Sequence, residues 1–272
     1  MAVCYRHPGR ETGVSCSNCG NPICPDCMTA TPVGMRCPDC SRQKTPVRTL
    51  RNIYAQPTVT YVLIAINVLL YFGTMLSGGR GGEVYDDFVL WGPAVDIGND
   101  YWRLVTAGFM HANLIHLGLN MYILYWLGTM LEPVLGNVRF LALYFASLLS
   151  GSFGALLLSA DSFTVGASGA VFGLMAAAFI MQRARGVDPW RSGIGPLILL
   201  NVAITFFPGF NISIGGHLGG LVGGALCALA IEQLSRQRRG NLLPVLACAA
   251  VGLIAIAGAI AVAGNANAQF GF

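Results

Sequence analysis

Four polar side chains stand in stretches that are otherwise apolar: Ser168, His217, His116 and Asn120. A hydroxyl becomes a nucleophile when a base of near-neutral pKa takes its proton, and an imidazole suits that task. Ser168 lies in Val165-Gly166-Ala167-Ser168-Gly169-Ala170-Val171-Phe172-Gly173, which opens an apolar helix, and His217 lies in Gly215-Gly216-His217-Leu218-Gly219-Gly220. His116 and Asn120 are separated by i, i+4 spacing and so fall on one helix face. Each feature has a plainer explanation when taken alone. Gly169 and Gly173 make a small-xxx-small face on which two membrane helices pack closely. A single histidine in an apolar span can simply hydrogen-bond a neighbouring helix. Their common depth argues for a site, and depth depends on the elements that carry them.

The chain has 272 residues, of which 54% are hydrophobic and 10% charged, far from the roughly 25% charged residues of soluble domains. It reads as an all-α polytopic membrane protein. Apolar runs fall near 58–76, 113–131, 139–158, 167–182, 194–209, 214–232 and 242–263, most close to the ~20 residues that cross a bilayer. A cytosolic N-terminus would place Arg139, Arg183, Arg185, Arg191, Arg236, Arg238 and Arg239 inside, leaving Arg80 and Arg103 outside. The tail from Gly264 is then external, as is the loop from Ser77 to Met110. The N-terminus is polar, so no cleavable signal peptide is expected. The net charge of +4 speaks of topology rather than nucleic acid.

With that orientation, Ser168 lies fifteen residues above Arg183 and His217 fifteen above Glu232, so both stand roughly 22 Å from the cytosolic edge. Counted from Glu132, His116 and Asn120 come out at roughly 24 and 18 Å. Three helices thus offer four polar groups at one level, in a pocket that must hold water. Neither the fourth nor the sixth run has an acidic residue there, so a Ser-His dyad without a third acidic member is the economical reading. Asn120, His116 and the Ser168 backbone N–H are candidate donors to a developing oxyanion. No H-E-x-x-H pattern supports a zinc protease, and catalysis needs no cofactor.

A second chemistry occupies the N-terminus. Seven of the nine cysteines precede residue 41, in Cys4-x-x-His7, Cys16-x-x-Cys19, Cys24-x-x-Cys27 and Cys37-x-x-Cys40. Four such pairs supply the eight ligands of two tetrahedral zinc sites. A disulfide framework is the competing explanation, disfavoured by the two-residue gaps and by a reducing cytosolic setting. An interleaved pairing, first with third and second with fourth, fits the spacing as well as a sequential one does. About 40 residues could hardly bury enough core to fold without metal. The expected organisation is a zinc module at 1–41, a basic cytosolic linker at 42–57, a six-helix membrane core at 58–234 and a seventh helix with its tail at 235–272. Cys227 and Cys248 read as small core residues.

Taken together, these blocks resemble the rhomboid family of intramembrane serine proteases over roughly Tyr54 to Gln233, and the module resembles B-box and RING-like zinc modules. The resemblance rests on Trp102-Arg103, His111, His116, Asn120, Gly166-Ala-Ser168-Gly169 and Gly216-His217-Leu-Gly-Gly220, in that order. It implies a six-helix bundle, here with a seventh helix added, in which Ser168 is the nucleophile, His217 the base, and His116 and Asn120 the oxyanion donors. It further implies a ring at Phe172 stacked on the imidazole, structural roles for Trp102, Arg103, His111 and Glu132, and a mobile cap near Phe206, Phe207, Pro208, Gly209 and Phe210. Implied partners are the lipid bilayer, transmembrane protein substrates and, for the module, a cytosolic protein. A bacterial plasma membrane is the expected location. A noncatalytic membrane-protein binder on the same fold is the alternative from a different class.

Overall fold

The computed structural model describes residues 2–41, 56–207, 212–236 and 242–270. The linker read at 42–57 lies outside these residues except for Gln56 and Pro57, as do Pro208, Gly209, Phe210, Arg238 and Arg239. The chain divides into two compact units, residues 1–53 and 54–272.

The first unit has two antiparallel ribbons, β1 (Ala2–Cys4) with β2 (His7–Thr12) and β3 (Thr29–Thr31) with β4 (Gly34–Arg36), then a one-turn helix α1 (Pro38–Ser41). Its buried residues are chiefly the ligand cysteines themselves, with Ile23 fully covered and Tyr5 and Met28 packed alongside.

The second unit is helical. α2 (Thr58–Leu76) leads into a loop with three short helices, α3 (Glu83–Phe88), α4 (Gly92–Asp96) and α5 (Arg103–Thr106). Then come α6 (Leu114–Leu135), α7 (Asn137–Ser159), α8 (Ser168–Ala184), α9 (Ile194–Thr205), α10 (Ile214–Arg236) and α11 (Leu242–Phe270). All seven apolar runs are helical, and α2, α6, α7, α10 and α11 are long and apolar enough to cross a membrane. The other two are shorter. α9 ends at Thr205 after 12 residues, because Phe207-Pro208-Gly209 cannot prolong a helix. α8 has 17 residues and starts only at Ser168, because the chain before it is held extended.

That restraint comes from the loop. Leu90 and Thr164 form a β-bridge with N···O distances of 3.1 and 3.0 Å, and the Gly166 N–H donates to the Ala107 carbonyl at 2.9 Å. The loop is tied down by Arg103, 7% exposed, whose guanidinium donates to Asp100 Oδ2 (2.8 Å) and to the carbonyls of Asp86 (2.5 Å) and Val89 (3.0 Å). Ser152 of α7 reaches the Leu104 carbonyl at 2.7 Å. Trp102 is half exposed and donates to the Asp87 carbonyl, as an interfacial ring does.

Small residues set how closely the helices approach. A Cβ added at Gly220 would strike the Gly169 carbonyl oxygen, and one at Gly224 the backbone of Gly173. Gly151, Gly169 and Gly216 face one another in the same way, and Gly154 meets Gly215 and Gly219. α7, α8 and α10 therefore touch backbone to backbone, which no larger side chain allows. Below this level lies the buried cluster of Leu124, Leu127, Phe140, Tyr144, Leu174 and Met175, with Cys227 and Cys248 also fully covered. Glu132, 1% exposed, accepts from the Val59 and Thr60 N–H groups at 2.8 Å and from Thr60 Oγ1 at 2.6 Å. One buried carboxylate thus satisfies the orphan donors that open α2, the structural role expected of it.

Candidate active site

α8 and α10 run in the same direction, and at their far ends Arg185 and Glu232 form an ion pair at 3.1 Å. Residues at equal distances from that end are therefore level. At the other end the Phe172 ring stacks on His217, with centroids 4.1 Å apart and planes at 20°. The imidazole, 8% exposed, thus packs on the helix that begins with Ser168, four residues beyond the serine. Ser168 is half-buried and faces a narrow cleft of about 30 Å³, which it lines with Gly166, Gly169, Ser213 and Gly216. That volume accommodates a water.

Being first in its helix has a second consequence for Ser168. The first N–H groups of a helix have no intrahelical acceptor, and here the 5→1 ladder begins with Val171 N–H on the Ala167 carbonyl, 3.0 Å. The Ser168 N–H is consequently one of the donors that the ladder leaves over, at the positive end of the helix and at a residue that lines the cleft.

His116 arrives from α6. Asn113 caps that helix, its side chain accepting from the His116 N–H at 2.9 Å, and this sets where the His116 ring begins. The ring lies over Gly166: a Cβ there would stand 2.6 Å from Cε1 and 2.8 Å from Nε2. Gly166 has φ +121°, so glycine is required both for the backbone and for the approach of the imidazole. Asn120 is 6% exposed, and its Nδ2 donates to the His116 carbonyl at 2.9 Å. One amide proton is thus used within its own helix and the second is left to give. His111 is 1% exposed, donates from Nδ1 to the Phe109 carbonyl (3.3 Å) and packs edge-on to His116 at 5.2 Å, which ties the ring to the loop.

The structure brings His116 to the Gly166-Ala-Ser168 turn and His217 to the Ser168 helix. It also shows two residues that sequence reading missed. Ser213 caps α10, accepting from the Gly216 N–H at 3.1 Å, and its carbonyl takes the His217 N–H at 3.1 Å. A serine directly before an apolar helix is a recognisable cap signal. Thr205, whose Oγ1 is 2.6 Å from His217 Nδ1, carries no such signal, because a threonine near the end of an apolar helix is unremarkable.

In the N-terminal unit the ligand atoms form two sets, Cys4, His7, Cys24 and Cys27, and Cys16, Cys19, Cys37 and Cys40, each within 4.8 Å of one another. The pairing is interleaved. His7 Nδ1 lies 3.8, 3.3 and 3.4 Å from the sulfurs of Cys4, Cys24 and Cys27, and Cys19 is 3.8 Å from Cys37. A tetrahedron with metal–sulfur bonds of about 2.3 Å has edges of roughly 3.8 Å, so the sets fit such an ion. The sulfur atoms are too far apart for disulfides, whose bond is about 2.05 Å. Backbone N–H groups of Cys19 and Cys37 lower the Cys16 thiol pKa to about 6, the direction that favours a thiolate ligand. Asn18 Nδ2 supports Cys40 at 3.3 Å, as outer hydrogen bonds do around metal ligands.

A helix-initial serine and an imidazole stacked on the same helix thus stand among glycine-packed apolar helices. Residues 98–233 match the Rhomboid domain family model. The chain is similar to the rhomboid protease GluP of Bacillus subtilis (strain 168), with 32% identity over 196 residues, covering 70% of this chain and 38% of that protein. It is also similar to the putative rhomboid protease YdcA of the same organism, 30% identical over 191 residues, covering 67% and 92% respectively. Rhomboid-like protease 1 of Toxoplasma gondii is 34% identical over 167 residues, covering 56% and 54%. The chain therefore spans nearly all of one of these relatives and well under two thirds of the other two. It belongs to the rhomboid family and is an integral membrane protein.

Proposed function

We propose that the chain is an endopeptidase that cleaves transmembrane or juxtamembrane segments of membrane proteins with Ser168 as nucleophile and His217 as general base. The observation that carries this is the imidazole of His217, stacked at 4.1 Å on Phe172 of the helix that Ser168 opens at the edge of the cleft. In the first half-reaction Ser168 Oγ bonds to the scissile carbonyl carbon as its proton passes to His217. The carbonyl electron pair moves to oxygen, for which the Ser168 N–H, His116 and the second amide proton of Asn120 would be the donors. Collapse of the tetrahedral species expels the amine, which takes the proton from His217. Water admitted through the cleft then releases the acyl group by the same steps in reverse.

A substrate helix must give up backbone hydrogen bonds before its carbonyl is open to attack. Segments with Gly or Pro near the cut and small residues at it are the expected substrates. The topology that accompanies this reading has a cytosolic N-terminus, an external C-terminus and a bacterial plasma membrane as its setting. The interleaved clusters would hold two structural zinc ions, and the module would present a surface to a cytosolic protein.

The test uses purified full-length protein and a transmembrane substrate weakened by Gly and Pro. Ser168→Ala and His217→Ala should each lower cleavage by ~10³-fold or more, and a fluorophosphonate should label the wild-type chain at Ser168. Cleavage by Ser168→Ala at the wild-type rate would remove the assignment and leave a binding role on the same fold.

A further inference from the structure

Thr205 is the last residue of α9 and is 5% exposed. Its Oγ1 has two close polar neighbours, the Asn201 carbonyl oxygen at 2.7 Å and His217 Nδ1 at 2.6 Å. Two oxygens at that distance require a proton between them, and a carbonyl has none to give. The single hydroxyl proton of Thr205 therefore goes to Asn201, one turn back on the same helix, in the common i−4 pattern. What remains on Thr205 is acceptor capacity, so the hydrogen in the contact with His217 belongs to Nδ1. A neutral imidazole holds one ring proton, so Nε2 then keeps its lone pair.

We propose that Thr205 is a positioning residue that holds His217 as the Nδ1–H tautomer, with Nε2 bare to take the Ser168 proton. The proposal rests on the dyad reading above. It gives a neutral hydroxyl the orienting task for which the sequence offers no acidic residue. The division of labour is geometric. Phe172 fixes the plane of the ring from one face, and a stack does not distinguish the ring from its 180° flip about χ2, which keeps that plane. The Thr205 bond does, since it engages Nδ1 and the flipped ring would offer a carbon there. After proton transfer both ring nitrogens are donors, and Thr205 accepts from Nδ1 in either state, so nothing around the base has to reorganise during the reaction.

The bond also links two helices that otherwise touch little. α9 rests mainly on α8, and its Leu199, Leu200 and Ile204 are exposed on the outer side. Thr205 is the residue of α9 that reaches the base on α10. A hydroxyl suits this place better than a carboxylate, because a charge among these apolar helices would carry a large desolvation cost.

Three substitutions separate orientation from simple packing. Thr205→Val keeps the shape and removes the acceptor; Thr205→Ser keeps the acceptor and removes the methyl; Ser168→Ala is the inactive reference. Cleavage of the weakened transmembrane substrate, the rate of fluorophosphonate labelling and the melting temperature are measured for each full-length variant in the same detergent. A whole general base contributes about 10²–10⁴-fold, so losing its orientation should cost Thr205→Val ~10–100-fold in kcat and a similar factor in labelling. KM should change less than about threefold, because no substrate contact is lost. Thr205→Ser should recover kcat to within about threefold, with melting temperatures of both variants close to the wild type. Histidine 15N spectra should show His217 with a protonated Nδ1 in the wild type and a mixed tautomer in Thr205→Val.

The proposal is overturned if Thr205→Val keeps kcat within twofold while Ser168→Ala is dead. It is equally overturned if Val and Ser variants lose activity alike in step with their melting temperatures, which would make Thr205 a packing residue. Full cleavage by Ser168→Ala would instead remove the dyad reading beneath it.

Discussion

In the N-terminal unit the polar ligands are the core, whereas in the membrane unit the candidate catalytic residues sit at one end of a core built mainly from apolar and small side chains. Cys4, Cys16, Cys24, Cys27, Cys37 and Cys40 are all 5% exposed or less and have little beyond Ile23 to pack against. Across α7, α8 and α10, by contrast, burial runs through Gly151, Gly169, Gly173, Gly220 and Gly224, and the polar groups are placed only after those backbones meet. The metal binding proposed for the first unit would therefore be folding energy. In the second, close packing comes first and the chemistry depends on it. The two units should consequently fail in different ways.

The largest effect expected is in the module. Chelation of the full-length protein should make residues 2–41 protease-sensitive and leave the fragmentation pattern of the membrane unit unchanged, with about two zinc ions per chain released. The pairing can be broken separately: a Cys4→Ser/Cys24→Ser double variant should lose about one ion if the clusters are interleaved and about two if they were sequential. A protected, metal-free module would show that these cysteines are not its core.

Next comes backbone contact in the membrane unit. Gly220→Val places a side chain on the Gly169 carbonyl and should destabilise by about 3 kcal/mol or more, with cleavage lost as Ser168 and His217 separate. Gly9→Ala in the module meets open space and should leave metal content and protection unaltered. Thermal denaturation and metal analysis of the two variants sharpen the contrast between the units.

Smaller again is Glu132→Gln, which replaces a buried acceptor of three hydrogen bonds with a group that must turn one donor toward donors. A loss of about 2 kcal/mol in stability, with kcat of the remaining folded protein preserved, is the expected outcome. The smallest is Phe172→Leu. Losing the stack on His217 should cost about 1 kcal/mol, read as a threefold to tenfold drop in kcat with little change in melting temperature. An unchanged kcat would leave the Thr205 bond as the sole restraint on the imidazole.

Much of the site was legible because each residue type carries its chemistry wherever it stands. A serine and histidines in apolar runs are costly there, and counting residues from the charged helix ends put Ser168 and His217 on one level, in keeping with the Arg185–Glu232 ion pair. The resemblance added Phe172, which does stack. Thr205 escaped because its role is a matter of which lone pair faces which nitrogen. Ser213 escaped because a helix-cap serine is common and its type does not reveal that it lines the cleft with Ser168, and α9 proved shorter than its apolar run because Pro208 follows.

By itself, the sequence determined the membrane setting, the helical elements, the eight candidate ligands and the candidate dyad, because composition, periodicity and pair spacing are local properties of the chain. Only the tertiary structure decided the interleaving of Cys4-x-x-His7 with Cys24-x-x-Cys27, since residues far apart in sequence share each set. It alone also placed His116 over Gly166, the first loop against Thr164, and Thr205 on Nδ1 of His217. These are close approaches between separate helices and loops, and angstrom-scale distance is what no spacing along one chain can specify.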